Sequence, residues 1–351
     1  MADDHDARAR ALCCSVRCST LRAFRVAVAA LVGIELWQRW QVRHFLYSAD
    51  GFHEPAAGSI AEYVDGWLGV SGFAPIIALG LVCAACTVVV EASRGCLMVL
   101  LVSYAVLSCR CPHSVWLLDR YAQWLLVIAT TLPSTRGLRS TSSASVALAR
   151  GEILWIYVDA GLVKLRSGAW RHDAAVSALD LHLRHTRGAS LVRRALGETG
   201  LRLLSPTVVL VELIAPAALL LALFSPVARP GAADHSLLAA ALLASLHLGI
   251  AATVPGAAHL SAFALASLLL WLDVALGSTL AAEEDRNSKA VRRRNRFADR
   301  CGDLLLALCL SCSAVYAAHS ESDSAGARLH VGSVLLGNRW NVRVGDRLLP
   351  L

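Results

Sequence analysis

The chain has 351 residues, 56% of them hydrophobic and only 17% charged, with a mean hydropathy of +0.55. Soluble chains carry about 25% charged residues, so this composition excludes a pair of ordinary soluble domains and describes a polytopic membrane protein. The net charge of +7 does not indicate nucleic acid, because the basic residues sit mostly between apolar runs, where topology rules and anionic headgroups account for them.

Residues 1–20 are polar and basic, and Arg8, Arg10, Arg17 and Arg22 precede an apolar run from Ala23 to Trp37. The positive-inside rule keeps this end cytoplasmic, and no signal-peptide pattern precedes the first span. The segment QRWQVRHFLYSADGFHEPAAGSIAEYVDGWLG reads as an outside loop with interfacial Trp and Tyr anchors. A second span is expected over Phe73 to Val90. A third, Leu97 to Leu107, is short for a bilayer and needs flanking residues to complete it or packing inside the bundle. A fourth covers Tyr121 to Leu132, extended upstream by Val115 to Leu118, and PSTRGLRSTSSAS returns the chain to the cytoplasmic side.

A fifth span, ARGEILWIYVDAGLVKLRSGAW, leads outward to Lys164. The basic stretch from Arg166 to Ser205 has apolar positions at helical spacing, such as Ala178, Leu181 and Leu183, or Leu191, Ala195 and Leu203. A basic loop outside is unfavourable, so these residues are expected to form amphipathic interfacial helices packed on the bundle. Three further runs follow, Val208 to Phe224, Ser236 to Val254 and Ala257 to Leu276. The next segment, AAEEDRNSKAVRRRNRFADR, holds seven Lys and Arg within 15 residues, which marks it as cytoplasmic. A last run, Leu304 to Ala317, crosses outward. The expected fold is an all-α transmembrane bundle of about nine spans, N-terminus inside and C-terminus outside.

Eleven cysteines match no zinc spacing and act as small hydrophobes, with Cys13, Cys14 and Cys18 open to palmitoylation; no metal is expected. The chemistry instead sits in ionisable residues inside apolar runs: Glu35, Asp119, Glu212, His247, Asp273 and, above all, Lys164. Read as a helix, Tyr157, Gly161 and Lys164 share a face, whereas Asp159 is about 140° round from Lys164. Glu212 in VVLVELIAP is the most isolated of these residues and needs a partner or a proton, Lys164 being one candidate. An amine stripped of its hydration favours its neutral form and can act as a base. Snorkelling from a helix end or a structural ion pair would use the same lysine without chemistry.

In order, LRAFRVAVAALVGIELWQRW, YSADG, SCRCPHSVWLLDRY, EILWIYVDAGLVKLRSGAW, VELIAP and LHLGIA resemble the landmarks of the HTTM domain, which includes vitamin K-dependent gamma-carboxylases. The resemblance divides the chain into a basic N-terminus (1–20), an HTTM-like domain (21–276), a basic loop (277–302), a last helix (303–318) and an extracytoplasmic tail (319–351). It implies that Lys164, in AGLVKL, is the base towards vitamin K hydroquinone or a related quinol. Tyr157, Asp159, Trp170, Glu212, His247 and Asp119 would surround the pocket, and Asp119 stands where animal carboxylases carry a histidine. The implied partners are the lipid bilayer and a protein or peptide substrate on the extracytoplasmic side, although the large lumenal region of the carboxylases is missing. The segment GLVKLRSGAWRHDAAVSALDLH is similar to lipase maturation factors through Asp180 and His182, which implies the alternative of a non-enzymatic membrane chaperone or scaffold.

Overall fold

The computed structural model describes residues 15–47, 63, 67, 73–89, 94–110, 117–133, 140–171, 178–183, 189–224, 232–253, 257–275, 341–344 and 347–350. The basic loop 277–302 and the last helix 303–318 of the expected topology therefore lie outside the described residues.

The described chain is almost wholly helical. In order come α1 (Cys18–Gln41), α2 (Arg43–Tyr47), α3 (Phe73–Val89), α4 (Arg94–Arg110), α5 (Leu117–Thr131), α6 (Ala144–Arg166), α7 (Ala178–Leu183), α8 (Ala189–Phe224), α9 (Ala232–Thr253), α10 (Ala258–Leu268) and α11 (Leu272–Ala275). Two helices, Ser190–Ala222 and His235–Thr253, are long and apolar enough to cross a membrane. They turn Leu210, Ile214, Leu220 and Leu221 of α8, and Leu237, Leu238, Leu242 and Leu248 of α9, away from the protein. The short third run is completed at both ends, from Arg94 to Arg110, and it packs against α3 and α5.

Polar contacts fix the directions of the helices. At one end of the bundle Arg25 of α1 donates to the carbonyls of Ala129 and Leu132 at the end of α5, at 2.9 and 2.6 Å. Arg94, opening α4, donates to the same Leu132 carbonyl. Arg150 of α6 reaches the Leu270 carbonyl at 2.9 Å, and Asp273 of α11 accepts from the Arg17 N–H and the Thr20 hydroxyl. At the other end lie Arg39, Tyr104, Asp119 and Lys164. The long helices therefore run alternately up and down. Between the two ends Val28, Val32, Ile77, Leu100, Leu125 and Ile128 share one buried core.

Two features depart from the expected all-α pattern. Ser15–Arg17 and Ser140–Ser142 pair antiparallel, with Val16 opposite Thr141, tying the N-terminal segment to the chain between α5 and α6. In the tail, Asn341–Val344 and Arg347–Pro350 form an antiparallel ladder. Strands of three or four residues carry too few positions for an alternation to register.

The region between the fifth and sixth runs also differs from expectation. Helix α8 begins well before Val208 and is interrupted at Gly197, whose φ of 63° and ψ of −178° only glycine adopts without strain. Leu183 and Leu201 pack together with Leu179 and Val192 beside them, but Leu191, Ala195 and Leu203 point outward. Of the two stripes assigned to the bundle, Ala178 and Leu183 are buried, whereas the one through Leu191 and Leu203 faces outward. On α8 the inward surface of this layer is supplied by Val192 and Leu201, on either side of Gly197. Cys18 is buried, which closes it to acylation, while Cys13 and Cys14 lie outside the described residues.

Replacing Arg25, only 1% exposed, by leucine strips donors from the last carbonyls of α5. The expected cost is about 1–3 kcal/mol, seen as a lower thermal midpoint of the purified protein in detergent. An unchanged midpoint counts against the arginine as the cap of α5.

Candidate functional site

Helix α6 buries Ile153, Leu154, Tyr157 and Gly161 along one face and ends at Arg166. Gly161 sets its distance from α8. A methyl group there would come within 2.8 Å of Leu213 Cδ2 and 3.2 Å of Glu212 Cβ, so the absence of a side chain lets the two helices meet. That approach brings Glu212 beside Lys164, one turn beyond the glycine.

Lys164 Nζ forms an ion pair and hydrogen bond with Glu212 Oε1, and the two side chains are 14% and 6% exposed. The ammonium also lies 5.1 Å from the centroid of the Trp170 ring. Trp170 is presented by a 3₁₀ turn, Gly168–Trp170, just past the end of α6, and packs with Ala178 and Val209. The first contact is a charge-assisted hydrogen bond and the second sets a cation over an aromatic face. The second carboxylate oxygen, Glu212 Oε2, is buried without a hydrogen-bond partner among the described residues.

Two turns back along α6, the Tyr157 hydroxyl is 2.8 Å from His247 Nε2 of α9, and the rings meet edge to face at 5.5 Å. Helix α8 packs against both α6 and α9. Five of the expected residues, Lys164, Glu212, Trp170, Tyr157 and His247, are thus gathered where α6, α8 and α9 meet. Asp159 is buried on α6, round the helix from Lys164.

Asp119 belongs to a different set of contacts. It pairs with Arg39 of α1 and accepts a 2.7 Å hydrogen bond from the Tyr104 hydroxyl, while Arg39 also donates to Tyr47 and lies 4.9 Å from the Tyr104 ring centroid. Nearby, Glu35 lies 3.0 Å from His259 Nδ1. Asp180 is held by Arg193 at 2.9 Å; of the His182 side chain nothing is described.

Sequence reasoning missed Arg39, Tyr104 and Ser267, which accepts from Tyr121 at 3.0 Å beside the tyrosine–histidine pair. Arg39 carried a signal, because it follows Glu35 by one helical turn at the end of an apolar run. A serine inside a hydrophobic helix carries almost none.

No family model, curated protein or solved structure matches the chain.

Removing one member of a buried ion pair leaves the other uncompensated. Lys164→Met should therefore destabilise the protein by about 3–5 kcal/mol, and adding Glu212→Leu should recover most of the loss. Unfolding midpoints in detergent for the two single variants and the double variant give the coupling. Strictly additive losses would show that the pair contributes nothing as a pair.

Proposed function

We propose that the chain is a multi-pass membrane protein of the HTTM class, in which the Lys164 site removes a proton from a lipophilic hydroquinone. The quinol would be vitamin K hydroquinone or a close relative, as the resemblance to gamma-glutamyl carboxylases implies. A protein or peptide on the extracytoplasmic side would be the eventual substrate, making the protein carboxylase-like, a lyase. The observation that carries this reading is the convergence of Lys164, Glu212, Trp170, Tyr157 and His247 from three helices at one end of an apolar bundle. Ionisable groups placed there are costly, and they recur where membrane proteins bind or move protons.

The nine-span arrangement, N-terminus cytoplasmic and C-terminus extracytoplasmic, belongs to the same proposal. The outward rows of leucine on α8 and α9 favour a lipid surround. Around Gly197, the outward Leu191 and Leu203 with Arg193, Arg194 and Arg202 on the same stretch suit a helix lying in the headgroup layer. Epitope tags placed in 277–302 and after Leu351 should be reached from opposite faces of sealed vesicles. Access to both from one face removes this topology.

The second reading is a non-enzymatic chaperone or scaffold of the lipase maturation factor kind. It is favoured by the way Lys164 and Glu212 satisfy each other, which is what a lock between α6 and α8 requires. Vitamin K epoxide formation in membranes carrying wild type or Lys164→Ala separates the two. The enzyme reading expects a signal that falls to background in the variant; equal background from both leaves the scaffold.

A further inference from the structure

We infer that within this site the proton acceptor is Glu212, through Oε2, and that the Lys164 ammonium receives the oxyanion, so that the ligand is an apolar molecule carrying an acidic hydroxyl. The reaction rests on the reading above; the protonation states on which the inference turns do not.

The two polar groups have unequal capacity to act. Lys164 has a carboxylate on one side and an indole face on the other, contacts that an ammonium makes well. An ammonium has no lone pair and accepts no proton. Glu212 has one oxygen engaged by that ammonium and a second, Oε2, with no hydrogen-bond partner among the described residues, on a residue only 4% exposed. A buried acceptor without a donor is costly, and a ligand O–H would satisfy it.

The backbone of α8 also lacks a main-chain hydrogen bond at this residue. Pro216, inside α8, has no N–H, so it cannot bond the carbonyl of the residue four positions earlier, which is Glu212. Both the side chain and the main chain of Glu212 therefore present oxygen without an assigned donor from α8 itself. Lys164 supplies the complement. Of its three N–H donors, Glu212 uses one, leaving others for an incoming oxygen.

The step balances within the site. The ligand O–H bond breaks, its proton forms an O–H bond to Glu212 Oε2, and the electron pair stays on the ligand oxygen as an oxyanion against the Lys164 ammonium. The ion pair is exchanged for a neutral acid and a new ion pair, with no net charge created and no oxidant needed.

The test is infrared difference spectroscopy on the full chain in lipid nanodiscs, wild type against Glu212→Gln, with Glu212→Asp as a second reference that keeps the charge. At rest, the wild type should show a carboxylate stretch that the glutamine variant lacks. Menadiol, kept reduced, should then raise a protonated carboxyl stretch in the wild type alone. A protonated carboxyl already present at rest and lost in Glu212→Gln would make Lys164 the neutral base and overturn the inference, as would menadiol leaving the carboxylate band unchanged. In the epoxidation assay, Lys164→Arg keeps a cation that cannot act as base, and it should stay within about tenfold of wild type. Glu212→Gln should lose about 100-fold or more. The reverse order overturns the inference. A wild type without epoxidation removes the carboxylase-like reaction, and the infrared result still decides who holds the proton.

Discussion

An ionised side chain held away from water persists only beside a partner, and this one constraint organises the ends of the helical bundle. Arg25 and Arg94 are satisfied by carbonyls at the end of α5, and Arg150 by the Leu270 carbonyl with the Trp271 ring 5.8 Å away. At the opposite end Arg39 is met by Asp119, Tyr104 and Tyr47, and Lys164 by Glu212 and Trp170. Every one of these contacts joins helices distant in sequence or pins a helix terminus. Between them the interior is left to aliphatic packing, which is non-directional and would not by itself choose one register of helices over another.

The two polar clusters at the same end differ in kind. Around Arg39 every partner is itself engaged: tyrosine hydroxyls, a carboxylate and a ring face surround one guanidinium. Such a closed network rigidifies. Around Lys164 the account does not close, because one carboxylate oxygen stays without a donor among the described residues, and the helix that carries it is interrupted in its own hydrogen bonding by Pro216. An oxygen left over beside an ammonium gives this pair the capacity to take a ligand.

The helices were legible from hydropathy because each apolar run is long relative to the segments that interrupt it. Phe73 to Val90 is a helix to within one residue, and the truncated third run extends to Arg94 and Arg110 as its length required. The pairing of Glu212 with Lys164 was also legible, since two isolated opposite charges in apolar surroundings have few alternatives. Other features were not. Which of several carboxylates meets Arg39 depends on how α1 and α5 pack, a tertiary fact with no local pattern. The outward turn of Leu191 and Leu203 was hidden because helical periodicity tells that a face exists, not what lies against it. Gly197 looked like any glycine in a helix until its positive φ was seen.

The bond between Arg25 and the end of α5 has a consequence for how the chain is made. The donor is in the first helix, and its two acceptors lie 104 and 107 residues further on. During synthesis from the N-terminus α1 is therefore complete long before the groups that satisfy its arginine exist. Until α5 arrives, those two acceptors are not there for Arg25. Order of synthesis and order of assembly are thereby separated in this protein, and the late tie of Ser15–Arg17 to Ser140–Ser142 closes the same end once both partners are present.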